Sequence, residues 1–371
     1  MRLHIFRPRP NNCSLPFPPA FRALSLTLLL GAAAGMTAGT AFANDGFGGL
    51  TATGLQFSVT DSVSMVKEDL RISPDRISVD YVFRNITAED VTGEVIFPLP
   101  PIEMEPAWIG MLNLPDPVPE DVVGFSATVD GKSVPVSIDR IAVLAEPWDE
   151  DAPLSLQYQS PGRDVTADLK ALGIPLGFDF DAMVAALRDL DPAQRARAVE
   201  AGLAYWQDIN QPDSEVWPAW SVVLRYHWTQ TFPAGAEVKI SHDYANLPPA
   251  SVFAWSTPEN LGYHDELIKA YCIDAGTSAA ITKSLSHNGK KKPDEAYGSA
   301  WYISYVLRTA NSWAGPIGEF RLTLDKGEAE NVISLCADGV KKTGPTTFTI
   351  ERSNYTPDKD LEILLVVPNG L

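Results

Sequence analysis

Residues 76–84, RISVDYVFR, alternate apolar and polar side chains with the single exception of Val82. Ile77, Val79, Tyr81 and Phe83 fall on one side; Arg76, Ser78, Asp80 and Arg84 fall on the other. Only an extended strand sends successive side chains to opposite faces, so this stretch demands a sheet with one face buried and one wet. The same constraint recurs. After the turn formers Asn85, Thr87 and Asp90, GEVIFPLP runs back as the expected second strand of a hairpin. Asp130-Gly131 joins two β-prone runs in GFSATVDGKSVPVSI, and that dipeptide suits the left-handed backbone of a tight hairpin. WSVVLRYHWTQTF puts Val222, Leu224, Tyr226 and Trp228 on one face. Beyond FPAG, AEVKISHDY returns with Val238, Ile240, His242 and Tyr244 inward. WYISYVLR, EFRLTLDK, NVISLCAD, TFTIER and LEILLVV read as later strands. Several short strands with regular turns imply a sandwich.

Composition shifts between Arg163 and Trp206, where alanine, leucine and arginine, all helix formers, accumulate. Asp191 before Pro192 marks a helix start, a capping carboxylate followed by proline at the first helical position. Met183, Leu187, Leu190 and then Val199, Leu203, Trp206 recur at helical spacing. Short helices are also expected at HDELIKAYC and AGTSAAITKSL. The expected fold is therefore mainly β with helical insertions (α+β). Two β-rich, sandwich-like domains, residues 44–160 and 215–371, are joined by a helical segment over 161–214.

The first 43 residues hold four arginines and no acid, then an apolar run, ALSLTLLLGAAAGM, and the small-residue site AFA. That order is a secretory signal, with cleavage expected between Ala43 and Asn44 and a periplasmic or secreted product. The leucine-rich core is too short to span a bilayer, and no later segment is long and apolar enough to do so. The remaining 328 residues carry 25 basic and 47 acidic side chains, a net of −22. Such a charge repels nucleic acid and anionic membrane surfaces. The one basic run, Lys290 to Lys292, sits between glycine and proline and reads as a solvated loop.

Cysteine usage agrees with export. Past the signal only Cys272 and Cys336 remain, so one pairing is possible. An even count in an oxidising compartment favours a disulfide over two thiols that never meet. Neither cysteine has histidines at metal-ligand spacing, and no metal or cofactor is implied.

Few residues invite chemistry. In YHDEL, His264 stands beside Asp265 and Glu266, the best acid–base candidate in the chain. Neighbours along a helix do not face one another, however, which weakens it as a catalytic residue. WDEDA offers Asp149, Glu150 and Asp151 without the alternate spacing of a calcium loop. No G-x-S-x-G or phosphate-binding glycine loop occurs. Nine tryptophans do occur, all beyond the signal. Trp217 and Trp220, with Trp108 in the proline-rich PAWIGMLNLPDPVPED, are candidate ligand-binding aromatics; core packing is their other reading.

An ordered string of motifs carries a resemblance. NSWAGPIGEFRLTLDKG and VISLCADGVKKTGPTTFTIERSNYTPDKDLEILLV resemble the C-terminal half of the domain of unknown function 4424 family. VVLRYHWTQTFPAG and AYCIDAG are similar to its middle, and EDLRISPDRISVDYVFRNITAEDVTGEVIFPLP to its start. The resemblance implies an exported bacterial protein with a mainly β fold. It implies no activity, so no catalytic residue carries over. Cys272 and Cys336 fall in its YC and SLC segments and look like a pair. The expected function is a non-enzymatic envelope protein that binds another protein through its β surfaces. The alternatives are a glycan or small-ligand binder using tryptophan-lined loops, and an unrecognised hydrolase built on His264.

Overall fold

The alternation in RISVDYVFR is that of β4 (Arg76–Asn85), in which Ile77, Val79, Tyr81 and Phe83 are all buried. The computed structural model describes residues 45–51, 54–104, 111–112, 114, 118–145, 162–211, 213–255, 262–292 and 296–369. The expected signal, its cleavage point, Trp108 and the acidic run 149–151 lie outside the described residues.

Two sheets make the sandwich. Sheet I runs β10 (Arg163–Asp164), β9 (Ser137–Leu144), β13 (Ser221–Phe232), β5 (Val91–Pro98), β1 (Gly46–Thr51) and β2 (Gly54–Phe57), with β6 (Ile102–Glu103) also on β13. Sheet II runs β19 (Lys341–Lys342), β20 (Thr347–Tyr355), β17 (Ile317–Asp325), β3 (Val63–Ile72), β4, β14 (Glu237–Ala245), β7 (Ser126–Val129) and β8 (Lys132–Ser133). Neighbours are antiparallel except β17 and β3. The sheets meet through aromatic contacts: Phe97 of β5 lies 5.4 Å from Tyr244 and Trp228 of β13 lies 5.3 Å from His242, both partners on β14.

The stretch YVFRNITAEDVTGEVIFPLP is not a hairpin. β4 belongs to sheet II and β5 to sheet I, so the turn at residues 86–90 carries the chain across the sandwich. FPAG does the reverse, taking β13 of sheet I into β14 of sheet II. The two arches stack, because β5 pairs with β13 while β4 pairs with β14. A turn in which each flanking strand has an apolar face fits hairpin and arch alike, and the sequence period alone does not separate them. The Asp130-Gly131 turn is the expected hairpin: it joins β7 to β8, with both residues at positive φ, 49° and 75°.

This interleaving corrects the expected domain division. Strands from before residue 160 pair with strands from after residue 215 in both sheets, and the described residues form one compact unit. The segment between is an insertion with three helices, α1 (Thr166–Ala171), α2 (Phe180–Arg188) and α3 (Pro192–Glu200), which bury Leu169, Met183, Leu187 and Ala198. α3 stops short of the expected Trp206. Gly202 takes φ +73°, and the chain leaves as β11 (Ala204–Trp206), paired with β12 (Val216–Pro218).

A third sheet, β15 (Ala250–Ala254), β16 (Tyr297–Tyr305), β21 (Leu361–Pro368) and β18 (Val332–Leu335), closes the molecule. The unbroken apolar run ILLVV of β21, residues 363–367, is explained by its two buried faces. Ile363 and Leu365 join the sandwich core; Leu364 and Val366 join a second core with Ile281 and Leu285 of α5 (Ala275–Leu285).

Candidate functional site

The β11–β12 ribbon is held from below. Asp191 caps α3 by accepting from Gln194 N at 2.8 Å, and Gln194 Oε1 accepts from Asp191 N at 3.0 Å, a reciprocal cap with Pro192 following. Arg195, itself buried, donates to the carbonyls of Ile209 and Leu190 and lies 5.9 Å from the Trp206 ring centre. Ala204, Trp206, Val216 and Pro218 point to the core, so the alternate residues must face out. Those residues are Tyr205 and Trp217, a directly opposed pair with ring centres 4.8 Å apart and planes at 26°. Tyr205 is 41% exposed. The exposed Gln207 and Glu215, joined by a Gln207 N to Glu215 O bond of 2.9 Å, give this aromatic surface a polar border.

The other sequence candidates fare differently. Trp220 is 1% exposed and belongs to the core. Its place in the strand-flanking AWS sequence hides that, because Trp217, three residues earlier, has the opposite fate. His264, on α4 (Gly262–Tyr271), is fully buried: its ring stacks 4.3 Å from Trp255, and Nε2 lies 3.3 Å from the Ala254 carbonyl oxygen. Asp265 and Glu266 are exposed. The helix therefore separates the imidazole from the acids that made it a candidate, and the hydrolase reading loses its base. Cys272 and Cys336 form a disulfide, 2.01 Å between sulfurs and 5.0 Å between Cα atoms. It ties the end of α4 to the end of β18, beside the Ser334 Oγ to Tyr271 O bond of 2.9 Å.

Histidines 227 and 242 lie on opposite faces, as their strand phases require. His227 does not stand on a wet face: its Nδ1 is 2.8 Å from Glu94 Oε2, and Thr229 Oγ1 donates to Glu94 Oε1 at 2.5 Å. Ile141, Val143 and Val223 are buried on the same outer face of sheet I, so that face is partly covered. An open groove of about 410 Å³ lies at the arch corners, lined by Ser64, Val66, Arg84, Asn85, Ile86 and Gly235.

The interior holds a polar cluster that the sequence reading missed. β3 carries a bulge between Met65 and Lys67. The bulge switches the inward phase from Val63 and Met65 to Leu70 and Ile72, and so turns Glu68 into the core, where it is fully buried. The change of apolar phase in VSMVKEDLRI was the available signal. Asp45 is also fully buried, with Oδ2 3.5 Å from His242 Nε2. Burial, and then the Glu68 charge, raise the Asp45 carboxyl well above the usual range. Burial depresses His242 to about 3, so its ring is neutral. Tyr81 and Tyr305 close the cluster with hydroxyls 3.1 Å apart, both held protonated chiefly by burial.

These features define a β-sandwich protein with a helical insertion, a third sheet stapled by a disulfide, and one outward aromatic pair on a supported ribbon. The chain belongs to the family described as "Domain of unknown function (DUF4424)", which matches residues 43–364. No curated protein matches it. It is similar to a crystal structure described as a "putative nutrient binding protein" from Legionella pneumophila subsp. pneumophila str. Philadelphia 1. That likeness has 17% identity and a TM-score of 0.38 over 87% of this chain and 72% of the other, too low for fold or role to carry over.

Proposed function

We propose that the protein is exported, cleaved after Ala43, and acts in the envelope by binding another protein through the Tyr205–Trp217 face. The observation that carries this is the outward stacked pair on a ribbon whose other face is fixed in the core. Rigid aromatics with a polar border are the usual centre of a protein-binding surface, since they add contact area at little cost in side-chain freedom. Export is supported by the basic start, the apolar core and AFA, and the disulfide is compatible with an oxidising compartment. No helix among the described residues is long and apolar enough to cross a membrane.

The test is crosslinking in intact envelopes followed by identification of partners. Wild type and Tyr297→Ala, which alters an exposed tyrosine elsewhere, should capture the same partner; Tyr205→Ala with Trp217→Ala should lose it. Equal capture by all three overturns the surface assignment. The flat exposed ring of Tyr205 also suits stacking against a sugar, the second reading. A tryptophan fluorescence shift with an envelope saccharide, abolished by Trp217→Ala, would replace protein by glycan as the ligand. N-terminal sequencing of the envelope form should begin at Asn44.

A further inference from the structure

On the outward side of the β11–β12 ribbon the residues come in cross-strand pairs. Tyr205 faces Trp217, and the next pair along is Gln207 and Glu215, kept in register by the Gln207 N to Glu215 O bond of 2.9 Å. Successive side chains on one face of a strand stand about 7 Å apart, so Glu215 lies at the end of the aromatic stack. Tyr205 and Glu215 are exposed, and Trp217 is half-buried. Among the described residues, no hydrogen bond or ion pair engages the Glu215 carboxylate. Asp208, further round the turn, is already taken up: Oδ1 accepts from Asn210 N at 3.0 Å and Oδ2 from Gln211 Nε2 at 2.7 Å.

The surroundings do not balance that acid. Residues 163–218 hold ten acidic and five basic side chains. Of the five, Arg195 is buried against Trp206 and donates to carbonyls. Arg163 is held by the Ala201 carbonyl at 3.0 Å and by Asp168 at 3.9 Å. The face of an aromatic ring is the negative end of its quadrupole, so the rings and the carboxylate attract the same kind of group, a cation. A guanidinium satisfies both at once. Its plane stacks on a ring while its N–H donors, which lie in that plane, reach a carboxylate beside the ring. An ammonium is more strongly hydrated and has no flat face to stack. An acidic side chain is repelled here, and an apolar one desolvates Glu215 without pairing it.

We propose that the Tyr205–Trp217 face recognises arginine: a guanidinium presented by the partner protein stacks on the exposed ring of Tyr205 and pairs with Glu215. The inference rests on the protein-binding reading above and names the chemistry of the partner's contact. The acid-rich insertion also draws a basic partner toward the ribbon before contact.

The test is fluorescence anisotropy with dye-labelled glycine-rich peptides that carry either two arginines, two citrullines (the neutral isostere) or two glutamates. The arginine peptide should bind the purified protein, the citrulline peptide roughly tenfold more weakly, and the glutamate peptide not at all. Glu215→Gln and Tyr205→Ala should each weaken the arginine peptide several-fold. Glu237→Gln, which removes an exposed charge on β14, should leave it unchanged. Equal losses from Glu215→Gln and Glu237→Gln mean attraction by net charge alone and overturn the proposal. Equal binding of the arginine and citrulline peptides overturns it too, as does no binding of the arginine peptide at about millimolar concentration. None of these results decides whether the face binds a protein, which the crosslinking comparison reads separately. Lost capture there by Tyr205→Ala with Trp217→Ala, beside a failed arginine result, means that the partner docks on this face through other chemistry.

Discussion

Asn85 Nδ2 donates to the Phe232 carbonyl at 2.8 Å, so the last residue of β4 grips the last residue of β13 from across the sandwich. The same amide donates to Glu89 O at 2.8 Å, and its Oδ1 accepts from Thr87 N and Oγ1 at 2.9 and 2.7 Å. Asn85 N donates to Ala236 O at 3.1 Å. One fully buried side chain thus satisfies the turns of both arches at once. Asp90 adds a second tie by accepting from Ala234 N at 2.9 Å.

Replacing Asn85 by alanine leaves carbonyls of both arches and the Thr87 N–H to find other partners. The expected cost is about 2–4 kcal/mol, several times that of one exposed hydrogen bond. Asn85→Asp should cost at least as much, because it turns an acceptor toward two carbonyls. Urea unfolding of both variants measures this; losses below about 0.5 kcal/mol would show that the arches are held by packing alone.

The disulfide gives a second prediction. Cys272 and Cys336 are 64 residues apart, and closing a loop of that length stabilises by about 4 kcal/mol in the chain-entropy model. α4 and α5 should loosen first, because their contact with the third sheet is a small core of its own. Reduction should lower Tm and raise hydrogen exchange in residues 262–285 before it does so in β4 or β14. An unchanged melt on reduction counts against the staple.

Much of this architecture was legible. Strand phases in β4, β13 and β14, the α3 cap at Asp191 and the Asp130-Gly131 hairpin follow from local backbone preferences, which act within a few residues. What was not legible is which strand meets which. β4 and β5 are neighbours in sequence but lie in different sheets, and β3 pairs with β17 from about 250 residues away. The candidate surface shows the same limit. Trp217 and Trp220 are three residues apart, and only the pairing of β12 with β11 turns one out while the other is buried. Tyr205 was hidden by a helical reading that Gly202 ends. Glu68 required seeing the bulge, one extra residue that reverses the phase of β3.

His264 carries the third prediction, and its burial sets the direction. The ring fills the space beside Trp255 and reaches the Ala254 carbonyl, so alanine leaves a cavity in the smaller core. A loss of about 2–4 kcal/mol is expected, because the truncation opens space in a packed interior rather than at the surface. Binding through the ribbon should persist wherever the variant remains folded. Retained stability with lost activity would restore the catalytic reading.

The last prediction concerns pH, where the half-buried Glu362 and the buried His242 oppose each other. Burial is the main cause that raises Glu362 from 4.5 to about 7, against a Ser304 Oγ bond of 2.6 Å that acts to lower it. Its folded pKa lies above its unfolded one, so its contribution is fully present below about 4.5 and is lost as pH rises through about 7. His242 falls from 6.5 to about 3 through burial, so its contribution is present above 6.5 and is lost as pH drops toward about 3. Between about 4.5 and 6.5 the two slopes have opposite signs, and the raised Asp45 acts in the same direction as Glu362. The wild-type curve alone therefore conceals both, and differences reveal them. Relative to wild type, Glu362→Gln should be comparatively more stable at pH 8 than at pH 4.5, by roughly 2–3 kcal/mol if the whole shift is expressed. His242→Phe should show the reverse, gaining on wild type as the medium is acidified below 6.5, because phenylalanine has no proton to take up in the unfolded chain. Denaturant titrations at four pH values from 4.5 to 8 measure both differences. Parallel curves for wild type and Glu362→Gln would mean that Glu362 stays solvated enough to ionise normally in the folded protein.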